Sequence, residues 1–141
     1  MESYICKTCG VQHAPGETPP AKCLMCEDER QYVGWGVQQW TTLEQMKVAG
    51  YRNLIKDEDP GLTGIGTEPA FAIGQRSLLV QIPNGNVLWD CMSFIDEETI
   101  RQVQALGGRA RYCCLASSLL WRYGRVESCL RRSAHLYPGG R

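Results

Sequence analysis

Histidine is scarce in this sequence. There are two in 141 residues, His13 and His135, and neither has another histidine near it. A metal centre built on clustered imidazoles therefore cannot be assembled from these residues. Long apolar runs are also missing: no stretch approaches the roughly 18 consecutive residues that a membrane helix needs. The opening, MESYICKTCG, shows no basic segment leading into an apolar one, so no secretory signal is visible and a cytoplasmic address is expected. In that compartment thiols stay reduced, and paired cysteines serve more often as metal or redox sites than as structural disulfides. No internal repeat is apparent.

What is present is a globular composition, 43% hydrophobic and 21% charged, which excludes a disordered chain. The length allows one ordinary domain plus a small module. A formal charge of zero conceals an asymmetry. Residues 1–108 carry eight Lys+Arg against fourteen Asp+Glu, whereas residues 109–141 carry seven arginines, no lysine and one acid, Glu127. The two parts differ by twelve charges, so the overall balance says little about partners.

The clearest motif is Cys6-Lys7-Thr8-Cys9-Gly10, then thirteen intervening residues, then Cys23-Leu24-Met25-Cys26. Two thiolates separated by two residues can reach one ion together from a tight turn, and four soft ligands suit a tetrahedral zinc site. Gly10 supplies the positive φ that such a knuckle uses. We therefore expect Cys6, Cys9, Cys23 and Cys26 to hold one structural Zn2+ and to organise a rubredoxin-like zinc ribbon over residues 1–36. The alternatives are two thioredoxin-like redox pairs, which would need a βαβ context that neither pair has, or disulfides. His13 is a possible substitute ligand, but its distance from both knuckles favours an exposed loop position. The nearby aromatics Tyr4, Tyr32, Trp35 and Trp40 are able to stack on bases. The acidic character of the folded part, with only Lys7 and Lys22 as basic residues in the cysteine loops, argues instead for core packing and against a nucleic-acid partner.

Residues 37–108 read as ordinary folded protein. GVQQWTTLEQMKVAG predicts a short helix capped by Thr41 or Thr42 and ended by Gly50. NLIKDEDPGLTGIGTEPAFAIG, rich in glycine and proline, predicts a loop feeding a strand. Ser77–Ile82 and Val87–Cys91, separated by Pro83-Asn84-Gly85-Asn86, predict a β-hairpin, since Asn-Gly is a strong turn signal. Ile95-Asp96-Glu97-Glu98-Thr99 opens a helix with acids in its first turn. Ile100, Val103 and Leu106 mark its apolar face, and Gly107-Gly108 close it. Another strand should follow.

Residues 62–108, LTGIGTEPAFAIGQRSLLVQIPNGNVLWDCMSFIDEETIRQVQALGG, resemble the opening of the metallo-β-lactamase-fold hydrolases, in particular a group with an N-terminal zinc ribbon. Counting the ribbon, the resemblance spans roughly residues 4–108. It implies an α+β chain in which the ribbon precedes a partial metallo-β-lactamase-type αββα unit, represented by the hairpin and its helix. Asp90 matches the superfamily's aspartate at the end of the second strand, a residue that supports the metal site without being a main ligand. The resemblance further implies an HxHxDH-type motif a few residues after Gly108, holding the ions that turn water into hydroxide, with a small-molecule substrate. That motif is absent, so catalytic metals are expected only in a full-length relative. An open sheet edge should leave the fragment marginally stable.

Residues 109–141 break the style, with Cys113, Cys114, Cys129 and no sustained period. Reading the codons for Arg111 to Arg132 one base later permits IAVSHPHFYGGMVEWSRAFG, a strand followed by a histidine-bearing loop. A frameshift near codon 109 is the reading this suggests. The alternative takes 109–141 as a genuine basic tail, making the chain a zinc-ribbon module that binds protein or nucleic acid. A second zinc site from the tail cysteines would need His135 or Cys91 as its fourth partner.

Overall fold

The structure, a computed structural model, describes residues 2–28, 37–83, 85–90, 92–107 and the backbone of 110–113. It is an α+β chain with two sheets. A two-stranded sheet pairs β1 (Tyr4–Cys6) with β2 (Trp40–Thr42), antiparallel, Ile5 opposite Thr41. The N-terminal unit is thus closed by residues beyond position 36, where the sequence placed its boundary. Thr42 then caps α1 (Leu43–Val48) through a full capping box: its hydroxyl accepts from the Gln45 N–H, and the Gln45 side chain accepts from the Thr42 N–H.

The second sheet has the order β3-β4-β5-β6-β7, so each strand lies beside its predecessor. β3 (Arg52–Asp59) and β4 (Leu62–Glu68) form a hairpin where the composition predicted a loop. The correction has a local cause. Pro60-Gly61 makes the turn, with Gly61 at φ 74°, the positive value a tight turn needs at that position. Gly64 leaves room for the Glu58 side chain: a Cβ there would lie 2.7 Å from its Oε1. The residues that weaken strand propensity are those that let this hairpin close.

β5 (Arg76–Val80) and β6 (Asn86–Trp89) form the expected antiparallel pair, Leu79 opposite Leu88. The helix α2 (Glu97–Ala105) starts at Asp96, whose carboxylate accepts from the Thr99 N–H at 2.9 Å, and it leads to β7 (Ala110–Cys113), parallel to β6. Gln81 and Asn86 both donate to the Leu106 carbonyl, at 3.1 and 3.0 Å, satisfying a helix-end acceptor that would otherwise need water.

Two apolar clusters organise the chain outside the cysteines. Ile65, Leu79, Leu88, Met92 and Val103 are buried between one face of the sheet and α2. Ile5, Leu43, Met46, Phe71 and Phe94 form the other, joining β1 and α1 to the loops around the large sheet. Asn53 ties these parts together. Its side chain donates to the Phe94 carbonyl at 2.8 Å and to Thr99 Oγ1 at 2.9 Å, and accepts from Thr67 Oγ1 at 2.8 Å. Asn53→Ala leaves those groups part-buried without this partner and should cost about 1–3 kcal/mol. Urea unfolding of the two proteins measures it, and a midpoint unchanged at equal slope would refute the assignment.

Candidate metal centre

The first knuckle begins at the end of β1, where strand pairing fixes Cys6. The chain then turns back: the Gly10 N–H donates to the Cys6 carbonyl at 2.9 Å, and the Cys6 N–H donates to the Val11 carbonyl at 2.9 Å. Gly10 has φ 77°. A Cβ at Gly10 would also lie 2.1 Å from Ser93 Oγ and 2.7 Å from Gln75 Oε1. Glycine is required here twice, by its own conformation and by the close approach of the 92–94 loop. The second knuckle is a turn in which the Cys26 and Glu27 N–H groups donate to the Cys23 carbonyl at 2.9 and 3.0 Å.

These turns bring the four sulfurs within 4.8 Å of one another. Cys6 Sγ lies 3.6 Å from Cys26 Sγ, and Cys9 Sγ lies 3.6 Å from Cys23 Sγ. A disulfide needs about 2.05 Å. A tetrahedron with metal–sulfur bonds of about 2.3 Å, the length found for zinc, has edges of about 3.8 Å. The spacing is that of ligands around one ion. Cys6, Cys9 and Cys23 are buried and Cys26 is half-buried, with Val11, Met25 and Trp40 packed around them. Gln38 Nε2 donates to Cys6 Sγ at 3.1 Å, and the Cys9 N–H donates to the same sulfur at 3.5 Å.

The thiols divide their protons unequally. Cys6 is drawn down to about 4, chiefly by the hydrogen bond from the Cys9 thiol, against the opposing effect of burial. Cys9 is pushed up by the same bond and by burial, and Cys26 is pushed up to about 12 by burial and then by its contact with Cys6. With no cation among them, Cys9 and Cys26 hold protons at neutral pH. A metal ion must displace those protons, so acidification weakens its binding and rising pH strengthens it.

Of the other residues singled out in the sequence, His13 departs from the exposed position expected of it. It is part-buried, edge-on to Trp40 with ring centroids 4.9 Å apart, and lies outside the sulfur group. Tyr4 donates from its hydroxyl to the Glu17 carbonyl at 3.2 Å. Asp90 follows β6 with φ 68°, and its carbonyl accepts from Ser77 Oγ at 3.2 Å. Tyr32, Trp35, Cys91, Cys114, Cys129 and His135 lie outside the described residues, and Cys113 is described only as backbone in β7. The sequence held no hint of Gln38 as a donor to sulfur. It carried a partial signal for the Ser93 contact in the glycine that follows Cys9.

Fold and cluster together define an α+β protein with a four-cysteine group that can hold a metal ion. The chain is 54% identical over 109 residues to the uncharacterized protein YmaE of Bacillus subtilis, a match that takes in 77% of this chain and 40% of that protein. It thus spans about two-fifths of the length of the curated relative it matches. No protein-family model matches the chain, and no solved structure matches it.

Zinc added to the metal-free protein at pH 7 should release at least two protons per ion, one each from Cys9 and Cys26. Titration in weakly buffered solution with a pH indicator reads this directly. Gln38→Ala should weaken binding about tenfold, at the low end of what outer hydrogen-bond partners contribute, as judged by competition with a chromophoric chelator.

Proposed function

We propose that these residues are the N-terminal part of a zinc-dependent hydrolase of the metallo-β-lactamase superfamily. Cys6, Cys9, Cys23 and Cys26 hold one structural Zn2+ in a ribbon that precedes the hydrolase domain. Such a closed four-sulfur site organises its surroundings and activates no water. For a module this small, metal binding supplies most of the folding free energy, about 10–16 kcal/mol in zinc-finger peptides.

The observation that carries this reading is the parallel pairing of β6 with β7, Trp89 opposite Cys113. β6, which Asp90 follows, and β7 therefore end on the same side of the sheet. In the superfamily pattern that end is where the HxHxDH ligands follow, with the aspartate beside them. These 141 residues have no such motif, so this polypeptide is inactive as a hydrolase. The frameshift near codon 109 accounts for the loss. The relative's match extends over 109 residues, as long as the stretch in which the sequence is well patterned, and since those make up 40% of that protein its length is about 270 residues. That is room for a full catalytic domain.

Three measurements test the proposal. The nucleotide sequence should contain a single-base shift near codon 109 that restores an HxH-containing frame, and its absence removes the frameshift. The purified 141-residue protein should hold one zinc per chain by mass spectrometry and leave p-nitrophenyl acetate and bis-p-nitrophenyl phosphate intact. The frame-restored protein should hold two or three metal ions and cleave one of them. Two or more metals on the 141-residue protein, or turnover by it, would overturn the reading.

A further inference from the structure

Two close sulfur contacts join the knuckles to each other, Cys6 Sγ to Cys26 Sγ and Cys9 Sγ to Cys23 Sγ, each at 3.6 Å. A disulfide bond needs about 2.05 Å, so either pair lies about 1.5 Å of closing movement from a covalent link. The four sulfurs are unequally sheltered. Cys6, Cys9 and Cys23 are 0%, 6% and 1% exposed, whereas Cys26 is half-buried in a turn that also exposes Leu24 and Glu27. Oxidation of a cysteine to a disulfide requires access for the oxidant at one sulfur and a second sulfur within reach. Cys26 offers the access, and Cys6 is the sulfur within reach. Two N–H groups fix Cys6 Sγ in place, Gln38 Nε2 at 3.1 Å and the Cys9 N–H at 3.5 Å. A bond inside either knuckle would leave the two turns free to part, because Ile5 is the buried hydrophobic residue of this segment apart from the cysteines. A bond between the knuckles keeps them together.

We propose that the cluster is a hydroperoxide-responsive site in which Cys26 is oxidised first and then bonds to Cys6, joining the knuckles covalently and expelling the ion. The proposal rests, for the expulsion, on the reading of the four cysteines as a zinc site. In the first step the Cys26 thiolate attacks the terminal oxygen of the peroxide. The O–O bond breaks, an S–O bond forms, and the other oxygen departs as alkoxide or hydroxide, leaving a sulfenic acid. In the second step the Cys6 thiolate attacks the Cys26 sulfur. The S–S bond forms, the S–O bond breaks and hydroxide leaves. Two sulfurs have given up two electrons to the peroxide bond, and the charges balance. Neither sulfur is then a thiolate, and Cys9 and Cys23 alone do not complete the four-ligand shell that a structural zinc ion requires.

The test treats the full zinc-loaded chain with hydrogen peroxide, follows zinc release with a chromophoric chelator, blocks the remaining thiols with iodoacetamide and maps tryptic peptides without reduction. Cleavage after Lys7, Lys22 and Arg30 puts Cys6 in residues 1–7, Cys9 in 8–22, and Cys23 with Cys26 in 23–30. The expected first product joins 1–7 to 23–30, with fragmentation placing the link on Cys26, and it should appear in step with the released zinc. A first link between 1–7 and 8–22, or one closed inside 23–30, would overturn the proposal. Dimedone added at short times should label Cys26 at least tenfold more than Cys6, Cys9 or Cys23, and earlier labelling of any of those three would overturn it too. Neither measurement needs a variant that must fold without one of its cysteines. The same treatment of the metal-free chain separates the two readings. If the chain takes up no zinc but still forms the Cys6–Cys26 bond, the zinc reading fails and the pairing stands; if it binds zinc and links its cysteines otherwise, the zinc reading stands and the proposal falls.

Discussion

Convergence of four sulfurs is the constraint on which the N-terminal segment depends. Between Glu2 and Asp28 the described chain is ordered by β1, two knuckles, and bridges at Glu2–Gly16 and Ile5–Gln12. Apart from the cysteines, the buried hydrophobic residue in this segment is Ile5. So small an apolar content cannot offset the backbone entropy of ordering the loop between the knuckles. Cys6, Cys9, Cys23 and Cys26, a group that can hold one metal ion, converge where a hydrophobic core would otherwise stand, and Trp40 packs against them.

The sulfur cluster is also fastened to the sheet. Gly10, directly after the second cysteine, lies against Ser93 and Gln75, while Ile5, directly before the first, packs with Phe94. Residues 92–94 follow Asp90 and precede the Asp96 cap of α2. The segment that leaves the C-terminal end of β6 is therefore gripped from one side by the first knuckle and from the other by Asn53, which donates to the Phe94 carbonyl. Order at the cysteines and order at the end of β6 are linked through this short stretch of chain.

Much of this was legible in the sequence, and the reasons differ between elements. Both helices were readable because their signals are local: Thr42 with Gln45 makes a capping box, and Asp96 precedes acids in the first turn of α2. The four cysteines were readable because coordination chemistry fixes their spacing. The β3–β4 hairpin was hidden, since its charged run KDED and its glycines lower strand propensity, and pairing with β5 decided the outcome. The pairing of β1 with β2 was hidden for another reason. It joins residues more than thirty positions apart, a choice that no local pattern encodes. His13 was misplaced because its partner, Trp40, arrives through that same pairing.

Sheet order that repeats chain order has a consequence for biosynthesis. From β3 onward every strand finds its neighbour already made when it leaves the ribosome, and the single parallel pair comes last, after α2 has crossed over. Contacts of this kind close short loops and form early. A gene altered downstream of α2 would still yield a nascent chain whose first four sheet strands assemble in sequence, so the damage would be invisible to the folding of everything translated before it.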